Sequence, residues 1–155
     1  QNLRKFLDIL PILQQPIVFK KLIREMSSSE IITNSDAIVA IDARGFIFAS
    51  AISLNLLKPM IVARKPGKLP GDLLTRDYSL EYGKNSLSIN KNSIKNFNKF
   101  AIVDDLLATG GTAKCVAEIL KEAKKEILGL SVVVELGELN GKPKLDFPMI
   151  SQVIL

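Results

Sequence analysis

The sequence predicts an α/β protein in which a central, mostly parallel sheet is flanked by helices and interrupted by an antiparallel flap. Short β-branched runs alternate with segments of helical length, the pattern of βαβ units around a parallel sheet. One long connection, rich in Pro and Gly at its start, breaks that alternation. The chain has 155 residues, 47% hydrophobic and 24% charged, which fits one folded domain spanning 1–155. Such a domain buries roughly 70% of its unfolded surface.

The elements follow in order. Ile17 to Met26 has the periodicity of an amphipathic helix. Ala37 to Ile41 reads as the first strand, with a helix from about Phe46 to Leu57 behind it, and Met60 to Ala63 reads as the second. Phe100 to Val103 is apolar without alternation, as a strand buried on both faces should be. A helix from Thr112 to Lys125, a strand at Leu130 to Val134 and a last strand at Met149 to Leu155 complete the sheet. The excursion is Lys65 to Lys99, with hairpin strands at Tyr78 to Tyr82 and Leu87 to Ile89; a connection of that length in a compact domain is more often a functional flap than wiring.

Composition excludes several chemistries. Cys115 is the only cysteine, which rules out an intrachain disulfide or a cysteine-cluster metal site, fits a reducing, cytoplasmic compartment and reads as a buried small hydrophobe on a helix. No histidine is present, so serine–histidine, cysteine–histidine and the usual zinc arrangements are absent. No apolar run reaches the ~18 residues of a membrane span, and Gln1-Asn2-Leu3-Arg4-Lys5 opens no secretory signal. The formal charge of +5 suits an anionic partner. Scattered basic residues, no Trp and two Tyr speak for a phosphate-rich small molecule over nucleic acid.

The most informative segment is Ile102-Val103-Asp104-Asp105-Leu106-Leu107-Ala108-Thr109-Gly110-Gly111-Thr112. A strand runs into two adjacent carboxylates, and a Thr-Gly-Gly-Thr loop then opens a helix. Glycines let backbone N–H groups converge, the helix N-terminus adds positive potential and the threonine hydroxyls donate, which together make an anion cradle. Acidic groups beside it would repel phosphate but accept hydrogen bonds from sugar hydroxyls. A sugar phosphate satisfies both halves. The spacing fits neither a Walker loop nor a dinucleotide fingerprint, and the adjacent acids lack the Asp-x-Asp spacing of a haloacid-type phosphatase.

This string resembles the 5-phosphoribosyl-1-pyrophosphate motif of type I phosphoribosyltransferases, most closely the adenine-specific version. The resemblance implies the corresponding fold, with Asp104 and Asp105 on the ribose hydroxyls and Ala108, Thr109, Gly110, Gly111 and Thr112 on the 5-phosphate. Ile41-Asp42-Ala43-Arg44-Gly45-Phe46 resembles the family's pyrophosphate loop, which assigns Ala43 and Arg44 to that anion. Ala63-Arg64-Lys65-Pro66-Gly67-Lys68-Leu69-Pro70-Gly71 is similar to a basic segment facing the same group, adding Arg64, Lys65 and Lys68. Tyr78-Ser79-Leu80-Glu81-Tyr82-Gly83 is similar to the family's flexible catalytic flap, with Glu81 the candidate for proton transfer near the base and Tyr82 a cover over the substrate. Asp72 and Asp77 receive no role.

The likeness extends to Glu135-Leu136 and Leu139-Asn140-Gly141, and starts at Phe6-Leu7-Asp8-Ile9, where Leu7 replaces an arginine. Family members begin further upstream with a segment that encloses the base, so the resemblance implies either that this leader is truncated or that the base pocket is remodelled. The implied reaction transfers a phosphoribosyl group from 5-phosphoribosyl-1-pyrophosphate to adenine with release of pyrophosphate. Mg²⁺ is the implied cofactor, held mainly by substrate oxygens and water with no direct protein ligand, and a homodimer the implied assembly. A noncatalytic regulator of the same fold, or an enzyme for xanthine or hypoxanthine, are the alternatives the sequence leaves open.

Overall fold

The computed structural model describes residues 9–80 and 83–155. A five-stranded parallel sheet is built from β1 (Ala37–Ile41), β2 (Met60–Ala63), β5 (Lys99–Leu107), β6 (Glu126–Glu135) and β7 (Met149–Ile154), in the order β2-β1-β5-β6-β7. The helices are α1 (Pro16–Ser27), α2 (Glu30–Thr33), α3 (Gly45–Leu56), α4 (Lys91–Ile94) and α5 (Gly111–Glu122). An antiparallel pair, β3 (Leu73–Leu80) and β4 (Gly83–Asn90), lies between β2 and α4 in the chain. No helix of the described residues is long and apolar enough to cross a membrane.

Strand order reverses at β1. The chain steps from β1 outward to β2, and β5 later takes the other side of β1. Such a reversal opens a crevice at the carboxyl ends of the two central strands, where ligands of open α/β sheets bind. Here the loop after β1 and the loop after β5 face each other.

Residues alternate through the sheet with period two. Ala37, Val39 and Ile41 of β1 join Ile102, Leu130, Val132 and the inner face of α5 in one core. Ile38 and Ala40 join Val103, Phe48, Ile52 and the α1 residues Leu22, Ile23 and Met26 in the other. Both cores are closed by aromatic edges, Phe19 against Phe48 at 5.9 Å and Phe97 against Phe100 at 6.4 Å. Removing a side chain such as Ile102, which is fully buried, should cost about 2–5 kcal/mol.

Several sequence boundaries shift. β5 does not stop at Val103 but runs on through Asp104 and Asp105 to Leu107, because β6 continues to pair with it as far as Leu107 opposite Glu135. β6 itself starts at Glu126, with an irregularity between Phe100 and Ala101 on its partner strand. The hairpin strands are longer than the two apolar clusters that announced them, and pair from Leu73–Asn90 to Leu80–Gly83. The four-residue helices α2 and α4 were not predicted; each is started by a side-chain cap, Ser29 on Ile32 N and Asn90 on Asn92 N.

The hairpin is joined to the body along its whole base. Arg64 and Ser88 exchange backbone hydrogen bonds of 2.9 and 2.8 Å, which ties β4 to the end of β2. Leu87 and Ile89 enter the same core as α5. Arg76 of β3 forms ion pairs of 3.7 Å with both Glu118 and Glu122 of α5.

Candidate active site

The site is a cleft of about 270 Å³ at the carboxyl end of β5, lined by Arg44, Tyr78, Ser79, the run Asp104–Ala113 and Leu130. Its floor is the acidic pair. Asp105 N–H donates to Asp104 Oδ1 at 2.8 Å, which fixes the Asp104 carboxylate. Arg44 Nε stands 2.7 Å from Asp105 Oδ2, an ion pair that compensates part of the buried charge. Burial, and next the charge of Asp105, push the Asp104 carboxyl well above the usual carboxylate range, with Arg44 opposing. A pair in this condition is stabilised by whatever donates to it, and sugar hydroxyls are suitable donors.

The wall is the turn into α5. Gly110 caps the helix with φ of 88°, a conformation that glycine adopts without strain. The following backbone N–H groups open the helix toward the cleft, as in anion sites at helix N-termini. Two close approaches hold this turn. A Cβ on Gly141 would overlap Ala108 O, so the segment after β6 backs the loop directly. A Cβ on Gly45 would come to 3.0 Å from Asp104 Oδ1, so the loop after β1 leans on the acidic pair.

The basic side is assembled by Asp42, a residue given no role from sequence. Its Oδ2 accepts from Arg64 Nε at 3.2 Å and from Lys65 N at 3.3 Å, joining the loops after β1 and β2. The Arg64 guanidinium also lies 5.6 Å from the Phe46 ring centroid, a cation–π contact. The Asp42–Ala43 peptide is cis. Arg44 alone of the predicted pyrophosphate residues lines the cleft. Ala43, Lys65 and Lys68 are exposed, and the two lysine ammonium groups make no ion pair among the described residues. Glu81 and Tyr82 lie outside the described residues.

Cys115 is buried, and burial pushes its thiol up to about 11. It donates to Arg76 O at 3.3 Å, as befits a packing residue. Among the described residues no three carboxylate or thiol groups gather as a metal cage. The acidic pair on the floor of the cleft would suit a Mg²⁺ carried on substrate oxygens and water, the coordination Mg²⁺ favours.

The chain as a whole resembles proteins of known kind. Residues 9–152 match the family described as phosphoribosyl transferase domain. The adenine phosphoribosyltransferase of Prochlorococcus marinus (strain MIT 9211) is 65% identical over 149 residues, covering 96% of this chain and 87% of that protein. The crystal structure of adenine phosphoribosyltransferase from Thermoanaerobacter pseudethanolicus superposes with a TM-score of 0.88 at 35% identity, over 96% of this chain and 87% of that one. The Saccharomyces cerevisiae adenine phosphoribosyltransferase, solved with an imino-altritol bisphosphate and adenine, gives a TM-score of 0.81 at 34% identity over 93% and 84% of the two chains. With an acidic pair, a glycine turn and a basic loop at the crevice of a parallel sheet, and with relatives this similar in sequence and in fold, the chain belongs to the phosphoribosyltransferase family, among the adenine phosphoribosyltransferases.

Proposed function

We propose that the chain transfers the 5-phosphoribosyl group of 5-phosphoribosyl-1-pyrophosphate to adenine, giving adenosine monophosphate and pyrophosphate in purine salvage. The observation that carries this reading is the single cleft in which Asp104 and Asp105 meet the Ala108–Thr112 turn. The turn binds the 5-phosphate through the N–H groups at the start of α5, while the acidic pair accepts from the ribose 2- and 3-hydroxyls. Arg44, with Arg64, Lys65 and Lys68 around the Asp42 junction, meets the pyrophosphate along with the exposed Ala43 backbone. The yeast relative solved with adenine supports adenine as acceptor.

Adenine N9 forms a bond to ribose C1 as the bond from C1 to the pyrophosphate oxygen breaks, with inversion. The reaction demands placement of two partners and stabilisation of separating charge more than a protein nucleophile, which agrees with a chain without histidine. Arg44 and the basic loop stabilise the leaving anion. Glu81 accepts the proton lost from adenine and Tyr82 covers the substrate. Mg²⁺, when bound to pyrophosphate oxygens, neutralises part of the leaving charge.

The same reading extends to assembly and place of action. Ile17 and Val18 on α1 and Leu54 and Leu57 at the end of α3 are exposed although these helices pack together, which supports a homodimer formed through that face. Sedimentation over a range of concentrations tests it, with a monomer at all concentrations as the contrary result. The lone buried thiol supports action in the reducing cytoplasm. The decisive experiment measures pyrophosphate release from 5-phosphoribosyl-1-pyrophosphate and Mg²⁺ with adenine, hypoxanthine, xanthine or no base. Adenine should give the fastest turnover. Faster turnover with another base overturns the acceptor, and binding without turnover overturns catalysis.

A further inference from the structure

Tyr78 sits at the junction of the hairpin and the phosphate turn. β3 lies along α5 through alternate residues: Leu74 packs on the core that contains α5, and Arg76 ion-pairs with Glu118 and Glu122 while its carbonyl accepts from Cys115 Sγ. Two residues on, with the same side-chain direction, Tyr78 reaches the N-terminal end of α5. A Cβ on Gly111 would lie 3.9 Å from Tyr78 Cδ2 and 3.9 Å from Thr109 Oγ1. Tyr78 and Ser79 line the cleft together with Asp104, Asp105 and the turn.

The ring is half-buried against the core, yet its hydroxyl makes no hydrogen bond to any described residue. A phenol with its ring packed usually finds a partner for its O–H. Burial first, then Cys115, Asp104 and Asp42, raise the phenol above its ordinary range, so at neutral pH it is a donor. Tyr78 lines the cleft beside the turn, where an acceptor on a bound ligand would come within its reach. Phosphate and ribose oxygens are such acceptors.

We infer that Tyr78 is a further substrate-contact residue, whose hydroxyl donates to the ribose 5-phosphate portion of the bound substrate and not to the pyrophosphate. The assignment rests on the reading of this cleft as the phosphoribosyl site. It follows from position: Tyr78 abuts Gly111 in the turn that opens α5. The contact also gives Arg76 a purpose as a positioning residue, since its two ion pairs set the register of β3 on α5 and hence where Tyr78 stands.

Two measurements test it. Tyr78→Phe keeps the ring and removes only the donor; the KM for 5-phosphoribosyl-1-pyrophosphate should rise roughly tenfold or more, as for loss of a hydrogen bond to a charged group. The KM for adenine and the thermal midpoint should not move, and a merely packing tyrosine would leave all three constants as they were. The second measurement needs no turnover. The chain has no Trp and two Tyr, so Tyr82→Phe leaves Tyr78 the only strong near-ultraviolet reporter. Titrating that variant with ribose 5-phosphate, with binding followed in parallel by calorimetry, should shift the tyrosine absorption, and pyrophosphate alone should not. Ribose 5-phosphate bound without a shift, or a shift with pyrophosphate alone, overturns the inference. A shift in a protein that does not use adenine would sustain the contact and refute the acceptor.

Discussion

Carboxylates at the two ends of the parallel sheet live under opposite conditions. At the amino end, Asp36 precedes β1 and its Oδ2 accepts from Asn98 N at 3.0 Å and Lys99 N at 2.9 Å. These hydrogen bonds, that of Lys99 first, lower its carboxyl below the ordinary range although it is exposed. At the carboxyl end, Asp104 is pushed up by burial and by Asp105, and Asp105 has Arg44 as its counter-charge. Asp42 stands between these extremes, at the carboxyl end but already serving Arg64 and Lys65. Backbone N–H groups hold the first carboxylate, Arg64 and Lys65 hold the third, and the pair borders the cleft.

Replacing both acids of the pair should produce the largest effect. Asp104→Asn with Asp105→Asn should abolish measurable turnover while circular dichroism remains native. The single Asp104→Asn sharpens the contrast through stability. A carboxyl whose folded-state pKa is raised costs stability when ionised, so the cost appears as pH rises above its unfolded value, ordinarily about 3.9. The variant should therefore melt higher than wild type near pH 7, and the gain should vanish in acid, where the native acid is protonated. A lower midpoint at neutral pH would mean that the pair is structural, as Asp36 is.

The backing of the glycine turn comes next. Gly141→Ala places a methyl group on Ala108 O, which must move the turn. A rise in KM for 5-phosphoribosyl-1-pyrophosphate of at least tenfold should follow, with adenine affinity less affected; an overlap of this kind costs about 1–3 kcal/mol when the backbone must yield. Unchanged kinetics would show that the Leu139-Asn140-Gly141 segment does not set the site. Asp42→Asn should have a smaller effect, because an amide oxygen still accepts from Lys65 N while the charge facing Arg64 is lost. A severalfold loss in kcat/KM, recovered in part at low salt, would place Asp42 among the positioning residues. A null result would leave the Phe46 contact as sufficient support for Arg64.

Much of this was legible in the residues. β1 and β2 fall where their β-branched runs begin and end, since each is bounded by a helix or turn signal. The acidic pair and its glycine turn could be read as a sugar-phosphate site from donor and acceptor types alone. The extension of β5 could not, because a strand passing through two carboxylates becomes reasonable only when β6 is there to pair with it. Asp42 was equally hidden: its partners Arg64 and Lys65 lie more than twenty residues along the chain, and only the neighbouring positions of β1 and β2 bring them within reach. Helices of four residues carry too little periodicity to be seen.

The smallest effect on activity belongs to Asp36, and it tests the other pole of the comparison. Asp36→Ala removes the acceptor for two backbone N–H groups where β5 begins, far from the cleft, so kcat and both KM values should stay as in wild type. Stability should change with the opposite pH sign to that of Asp104. A depressed carboxyl contributes stability above its unfolded pKa, and that contribution is lost as pH falls through the lower, folded value. Wild type should exceed Asp36→Ala by a few degrees in thermal midpoint near pH 7, and the two curves should converge in strong acid. If the curves instead remain parallel at all pH values, Asp36 acts through packing alone. Its contrast with the acidic pair would then be one of location, with no difference in how charge is held.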